Sequence, residues 1–147
     1  MKQLKQIKRG AQAAFSLAEL MVVIVIIGLL ATLVVPAVVS KLFKASVGIA
    51  VADITTIGNG INEYMIDHNG RAPDSLEDLI TEDEYGSKIL DRDTVPTDPW
   101  GNEYIYIPGS SSGSSDWTVM TYGQDGLEGG EGKDRDITYD MIKNKEL

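Results

Sequence analysis

The side chains best suited to chemistry in this 147-residue chain are oxygen donors gathered near its C-terminal end. Asp125, Glu128, Glu131, Asp134 and Asp136 fall within residues 125–136, separated by Gly126, Gly129, Gly130 and Gly132. Calcium takes six to eight oxygens at about 2.3–2.6 Å and accepts backbone carbonyls among them. Glycines let a chain turn tightly enough to aim such carbonyls inward. The spacing is not that of an EF-hand loop, which needs Asp-x-Asp-x-Asp-Gly and a glutamate at its twelfth position. Spacing alone leaves two readings open, a calcium loop and a solvated acidic loop. Nucleophiles and bases are scarce: there is no cysteine, and His68 is the only histidine. Without partners at metal spacing, His68 reads as a solvated residue at a helix end. Gly109-Ser110-Ser111-Ser112-Gly113 has the Gly-x-Ser-x-Gly spacing, but it lies in a serine-rich hairpin loop and not between a strand and a helix, so an enzyme is not expected.

One further acid, Glu19, stands at the lip of a long apolar run. Between Glu19 and Lys41 lie 21 residues without a charge, most of them Val, Ile, Leu, Met or Ala. At ~1.5 Å of rise per residue this run covers about 30 Å, the thickness of a bilayer's hydrocarbon core. It is apolar all round, where a core helix of a soluble protein would show a polar stripe. Leu20–Val39 is therefore expected to span a membrane. A carboxylate near the bilayer core costs about 2.5–3.5 kcal/mol and is commonly paired. Glu19 either reaches water at the interface or finds a partner. Residues 1–14 carry Lys2, Lys5, Lys8 and Arg9 and no acid, as in a segment retained in the cytoplasm. A secretory signal would place small residues for cleavage after its apolar core, whereas Ala11-Gln12-Ala13 precedes it.

The run continues beyond Lys41 as an amphipathic helix. Val47, Ala50, Val51, Ile54, Ile57, Ile61, Tyr64 and Met65 recur at helical steps. One helix from about Phe15 to Asp67 is expected, half in lipid and half a spine for a small domain. Gly58 and Gly60 each cost about 1 kcal/mol relative to Ala inside a helix, which points to local unwinding or close packing. Gly70 suits a left-handed cap. A short helix should then open at Asp74, with Glu77 closing a capping box. Glu82–Thr97 reads as a surface loop, and Pro99-Trp100-Gly101 as a turn with Trp100 plugging the edge of the core. Tyr104–Ile107 and Trp117–Tyr122 read as antiparallel strands joined through Pro108–Ser115, with a third near Ile137–Tyr139. The expected class is α+β, a long N-terminal helix on a small antiparallel sheet.

Charge divides along the same lines. The leader is +4, whereas residues 41–147 hold nine Lys/Arg against 21 Asp/Glu. A head of net charge −12 lacks the basic face that nucleic acid requires. Without disulfides, about 100 exported residues must be held by their core or by a metal ion.

A basic leader, then a small residue, Phe-Ser-Leu-x-Glu-Leu and a long apolar helix resemble the type IV pilin class, which includes the pseudopilins of type II secretion. The resemblance implies that a prepilin peptidase cuts between Ala14 and Phe15 on the cytoplasmic side and methylates the new amine. Ala14 stands where the class usually has Gly. Glu19 becomes the fifth residue of the processed chain, and Pro36 the twenty-second, where pilin helices often kink. Tyr64-x-x-Asp67 with Gly70, Pro73 and Leu76, and then Asp98-Pro99-Trp100-Gly101, is similar to the major pseudopilin family. That similarity implies a calcium loop with Asp125, Asp136 and Asp134 as carboxylate ligands and backbone oxygens from Tyr122 and Leu127. Weaker claims fall to Glu128 and Glu131.

The resemblance also implies residues 1–14 as a removed leader, 15–40 as the membrane and assembly helix, and 41–147 as a periplasmic head. The chain would sit in a bacterial inner membrane and polymerise with itself into a periplasmic filament that drives folded proteins outward. Glu19 would pair in that filament with a neighbour's Phe15 amine. Expected partners are minor pseudopilins, an inner-membrane assembly platform, an outer-membrane secretin, the prepilin peptidase and, before assembly, lipid. A type IV pilus subunit for adhesion, motility or DNA uptake shares this N-terminus. The missing cysteines and the Asp-Pro-Trp-Gly turn disfavour it. An ordinary membrane-anchored binding protein would keep residues 1–14. No role is assigned to the tail beyond Asp140.

Overall fold

The computed structural model describes residues 15–109 and 116–146. The leader with Ala14, and most of the loop between the first two strands, lie outside them. Helix α1 runs from Leu17 to Asp67. It is followed by a 3₁₀ turn at Leu76–Leu79, strands β1 (Ile105–Ile107) and β2 (Thr118–Thr121), a second 3₁₀ turn at Gly132–Asp134, strand β3 (Ile137–Thr138) and helix α2 (Tyr139–Asn144). The order β1-β2-β3 is antiparallel throughout, with Tyr106 opposite Val119 and Thr121 opposite Ile137. This is the expected α+β arrangement. Two compact units are present, one ending at Ser40 and the other beginning at Lys41.

In the first unit α1 is long and apolar enough to cross a membrane. Its large apolar residues from Leu17 to Val39 are all at least 46 % exposed. The helix runs through Pro36, although proline has no N–H for the carbonyl of Thr32. In the second unit the expected apolar stripe is buried. Ala50, Ile54, Ile57 and Ile61 form a core with Leu76, Leu79, Tyr104, Trp117, Val119 and Ile137. Strand β2 alternates as a half-buried strand should, with Val119 and Thr121 inward and Thr118 and Met120 less so. Tyr104 donates its hydroxyl proton to Asp53 Oδ2 at 3.3 Å. Burial, then the Asp53 charge, holds that phenol well above its ordinary pKa.

The two helix glycines resolve toward close packing, with no unwinding. The Tyr139 ring of α2 lies directly over Gly58, where a Cβ would collide with it. The ring also packs on Trp117 at 4.9 Å, and its hydroxyl accepts from Asn62 Nδ2 at 3.2 Å. Gly60 makes room for Leu90, 3.2 Å from the position of an added Cβ. Helix α1 ends as expected, with Gly70 at φ 83° and its N–H donating to Met65 O at 2.7 Å. His68 is exposed and stacks on Tyr64 at 3.8 Å.

Two local expectations are corrected. The element after Pro73 is a 3₁₀ turn, capped one residue later than foreseen. Asp78, and not Glu77, accepts the backbone N–H groups of Asp74 and Ser75, at 2.9 and 3.1 Å, while Asp74 pairs with Arg71. Tyr139 opens α2 and is not the end of β3. Residues 141–144 of the tail belong to α2, whose start is capped by Thr138 Oγ1, which accepts from Met141 N at 3.2 Å.

Gly58→Val should therefore displace Tyr139 and destabilise the head by about 1–3 kcal/mol, the range for overpacking a filled site. Denaturant unfolding followed by Trp117 fluorescence measures it.

Candidate functional site

The N-terminal end of α1 is closed by a reciprocal pair. Ser16 N–H donates to Glu19 Oε2 at 2.8 Å, and Glu19 N–H donates to Ser16 Oγ at 3.2 Å. This is a capping box with Ser16 as N-cap, and it satisfies two of the donors every helix start leaves open. Phe15 lies just outside the helix and is 89 % exposed. The acid at the lip of the span thus has a partner within its own chain. Ser-x-x-Glu, at positions 16–19, carried that signal in the sequence.

The acidic loop is closed by its backbone. Gln124 N donates to Lys133 O at 3.2 Å. Gly123, at φ 74°, backs onto the main chain of Asp134 and Arg135, 2.9 Å from where a Cβ would stand. Gly130, at φ 92°, lies closer still to the Asp134 carbonyl, 2.5 Å from where a Cβ would stand. Only glycine fits either position, on conformation and on space. Asp125 Oδ1 accepts from Leu127 N at 3.2 Å, and Leu127 itself is 67 % exposed. Both Asp136 oxygens accept from Gly129 N–H, at 3.1 and 3.0 Å. Asp134 ends the second 3₁₀ turn, and Tyr122 is half-buried just after β2.

The loop therefore brings Gly123 and Gly130 onto the 134–135 backbone. Among the described residues, however, no three Asp, Glu or His side chains gather as a metal cage. The donors themselves are all oxygens, the type a hard cation selects.

A third constellation was not foreseen as a unit. Asp98 is 3 % exposed. Its Oδ1 accepts from Trp100 N at 3.0 Å and Asn102 N at 2.8 Å. Its Oδ2 accepts from the Thr121 hydroxyl at 2.6 Å and from Asn102 Nδ2 at 3.4 Å. Gly101, at φ 97°, closes the turn with its N–H on Asp98 O at 3.0 Å. Asn102 Nδ2 also reaches Gly123 O at 3.4 Å, so one carboxylate ties the Trp100 turn to β2 and to the root of the acidic loop.

These features meet in one known family. Residues 37–140 match the model of type II secretion system (T2SS) protein G, and residues 9–35 match the prokaryotic N-terminal methylation motif. The chain belongs to the type II secretion system protein G family. The core protein G of Vibrio cholerae is 38 % identical over 137 residues, 88 % of this chain and 92 % of that one. The core protein G of Pseudomonas aeruginosa is 37 % identical over 138 residues, 88 % and 96 % of the two chains. That of Escherichia coli K12 is 35 % identical over 128 residues, 82 % and 87 %. The methylation motif and the exposed apolar half of α1 fit a protein G anchored in the inner membrane. The protein G match stops at Asp140, so most of α2 lies beyond it.

Asp98→Ala would leave several donors unsatisfied in a buried turn, at about 1–3 kcal/mol for each that finds no water. It should lower head stability by roughly 3 kcal/mol, read as a lower unfolding midpoint in denaturant. Thr121→Val, which removes one of these bonds and the one that Thr121 Oγ1 accepts from Gly123 N–H at 3.3 Å, should cost less.

Proposed function

We propose that this chain is the major pseudopilin of a type II secretion system. Its copies polymerise into a periplasmic pseudopilus that drives folded proteins through an outer-membrane channel. The observation that carries the reading is a single helix, α1, apolar and exposed in its first half and buried beneath a protein G head in its second. An apolar rod of this kind is stable in lipid, and it is equally stable packed against identical rods. A head-to-tail contact that does not close into a ring gives a helical filament. The subunit supplies a moving part and carries out no reaction, so we read it as non-catalytic.

Processing and assembly are linked through Glu19. Cleavage between Ala14 and Phe15 by a prepilin peptidase creates an amine at Phe15. In the water-poor core of a filament an uncompensated carboxylate is costly, and a neighbour's Phe15 amine supplies the compensating charge. The Ser16 cap holds Glu19 at the helix start until that amine arrives. Minor pseudopilins, the inner-membrane assembly platform, the outer-membrane secretin and the peptidase are the partners this reading names.

Calcium forms the second part of the reading. Asp125, Asp136 and Asp134 would supply carboxylates, and Tyr122 and Leu127 backbone oxygen. The ion would bind the two ends of the loop together, a role disulfides fill in other exported domains. What supports it is the all-oxygen donor set and a backbone already closed at Gly123 and Gly130. Binding requires Asp136 to exchange the Gly129 N–H for the cation.

The mass of protein recovered from membranes should fall by residues 1–14 and rise by one methyl group only in cells with prepilin peptidase. Glu19→Ala should insert normally yet form no filaments, and filaments of ordinary length from that variant would refute the role. Calcium should raise the melting temperature of the full chain in detergent, and Asp125→Ala should abolish the rise. Equal melting in calcium and in chelator would refute the metal assignment.

A further inference from the structure

The head carries an aromatic and basic patch at the point where its polypeptide leaves the apolar span. Lys41, Leu42, Phe43 and Lys44 are the first residues after Ser40 and belong to α1. Both lysines are exposed, Leu42 is 63 % exposed, and Phe43 is half-buried. The Trp100 ring lies against Phe43, with centroids 6.4 Å apart and planes tilted by 33°. Trp100 is also only half-buried, and it is held in place through its own backbone by Asp98 Oδ1.

Connectivity places this patch. At ~1.5 Å per residue, Phe43 stands about 5 Å along the helix from Ser40. Trp100 is one ring contact away from Phe43. The head-group layer beyond each side of the hydrocarbon core is about 5–8 Å deep. The patch therefore begins inside that layer. Tryptophan is enriched there because its ring has an apolar body and an N–H for water or ester oxygens. Lysines lay their stems along the apolar surface and lift the ammonium to the phosphates. The remainder of the head is strongly acidic and is repelled by anionic lipid.

We propose that Trp100, Phe43 and Leu42, with Lys41 and Lys44, form a phospholipid-interface contact that seats the head on the membrane before the subunit joins a filament. The proposal goes beyond the pseudopilin reading and rests only on the span being in lipid. Trp100 then has two faces in use, one on the core and one on the head groups. Leaving the membrane requires this contact to be broken along with the extraction of the span.

The two tryptophans make the test direct, because Trp117 is 5 % exposed within the core and serves as the internal control. The full chain is reconstituted in vesicles of equal parts phosphatidylcholine and phosphatidylglycerol, with part of the phosphatidylcholine brominated near the head-group end of its acyl chains. Trp100 emission, isolated in Trp117→Phe, should shift to the blue on reconstitution and be quenched by the brominated lipid. Trp117 emission, isolated in Trp100→Phe, should be unaffected. The unsubstituted chain gives the same answer should either variant fold poorly, since quenching should then remove one emitter and leave the other. Lys41→Gln with Lys44→Gln should weaken the quenching and remove its dependence on phosphatidylglycerol.

Flotation with the vesicles is measured first. A chain that does not float would overturn the proposal together with the anchorage beneath it. A chain that floats with Trp100 as unquenched as Trp117 would overturn the patch alone, whatever becomes of the pseudopilin reading. Trp100 emission that follows protein concentration and ignores the brominated lipid would assign the patch to a second copy and equally defeat the proposal.

Discussion

An apolar helix surface must be covered by something, and this chain covers only half of its own. From Ala50 to Ile61 the stripe of α1 is buried by the head's sheet and by the turn at Leu76–Leu79. From Leu17 to Val39 no residue of the described chain covers it. Lipid and other copies of the same helix are equivalent partners for such a surface, because both are hydrocarbon. What distinguishes them is charge at the lip of the helix, where Glu19 is held by Ser16 in the single subunit. The subunit can therefore change surroundings at little net cost in apolar burial. On the reading proposed above, electrostatics at that single carboxylate decides the direction.

The head meets a different constraint, since it has few buried residues and no disulfide. It gains order from buried polar bonds and from glycine-permitted closeness. Asp98 accepts four hydrogen bonds from three residues, one of them Thr121 in the central strand. Gly58 and Gly123 let a ring and a main chain approach to distances that any side chain would forbid. Such contacts fix a unique arrangement where a small hydrophobic core alone would tolerate several.

Much of this was legible in the sequence because it rests on periodicity and on turn chemistry. The span, the stripe at Ala50, Ile54, Ile57 and Ile61, the end of α1 at Asp67 and the antiparallel strands follow from spacing alone. Asp98 was visible as the first residue of a turn, but its reach to Thr121 joins positions far apart in the chain and leaves no local trace. The capping box at Ser16 and Glu19 is legible as Ser-x-x-Glu ahead of an apolar run. The cap after Pro73 falls one residue later because Glu77 and Asp78 are both acids, and Ser75 as N-cap puts Asp78 at the third helical position. Helix α2 was hidden by brevity: six residues give too little repeat for a period to show. The acidic loop is the hardest case, because glycines and acids at that spacing describe its composition while the direction of each carboxylate depends on the backbone. There Asp136 is turned onto Gly129 and away from any common centre.

The Tyr139 ring over Gly58 has a consequence for the order in which the protein is made and exported. Its hydroxyl is bonded to Asn62, 77 positions earlier, so the head cannot close until residue 139 has been made. A chain that enters the membrane N-terminus first presents its span long before its head can finish folding. Non-local contacts of this kind are slow to form, since the intervening loop must be ordered before they return any energy. During that interval the groove at Gly58 on α1 stays open to solvent. A subunit truncated before Tyr139 would be anchored yet never closed.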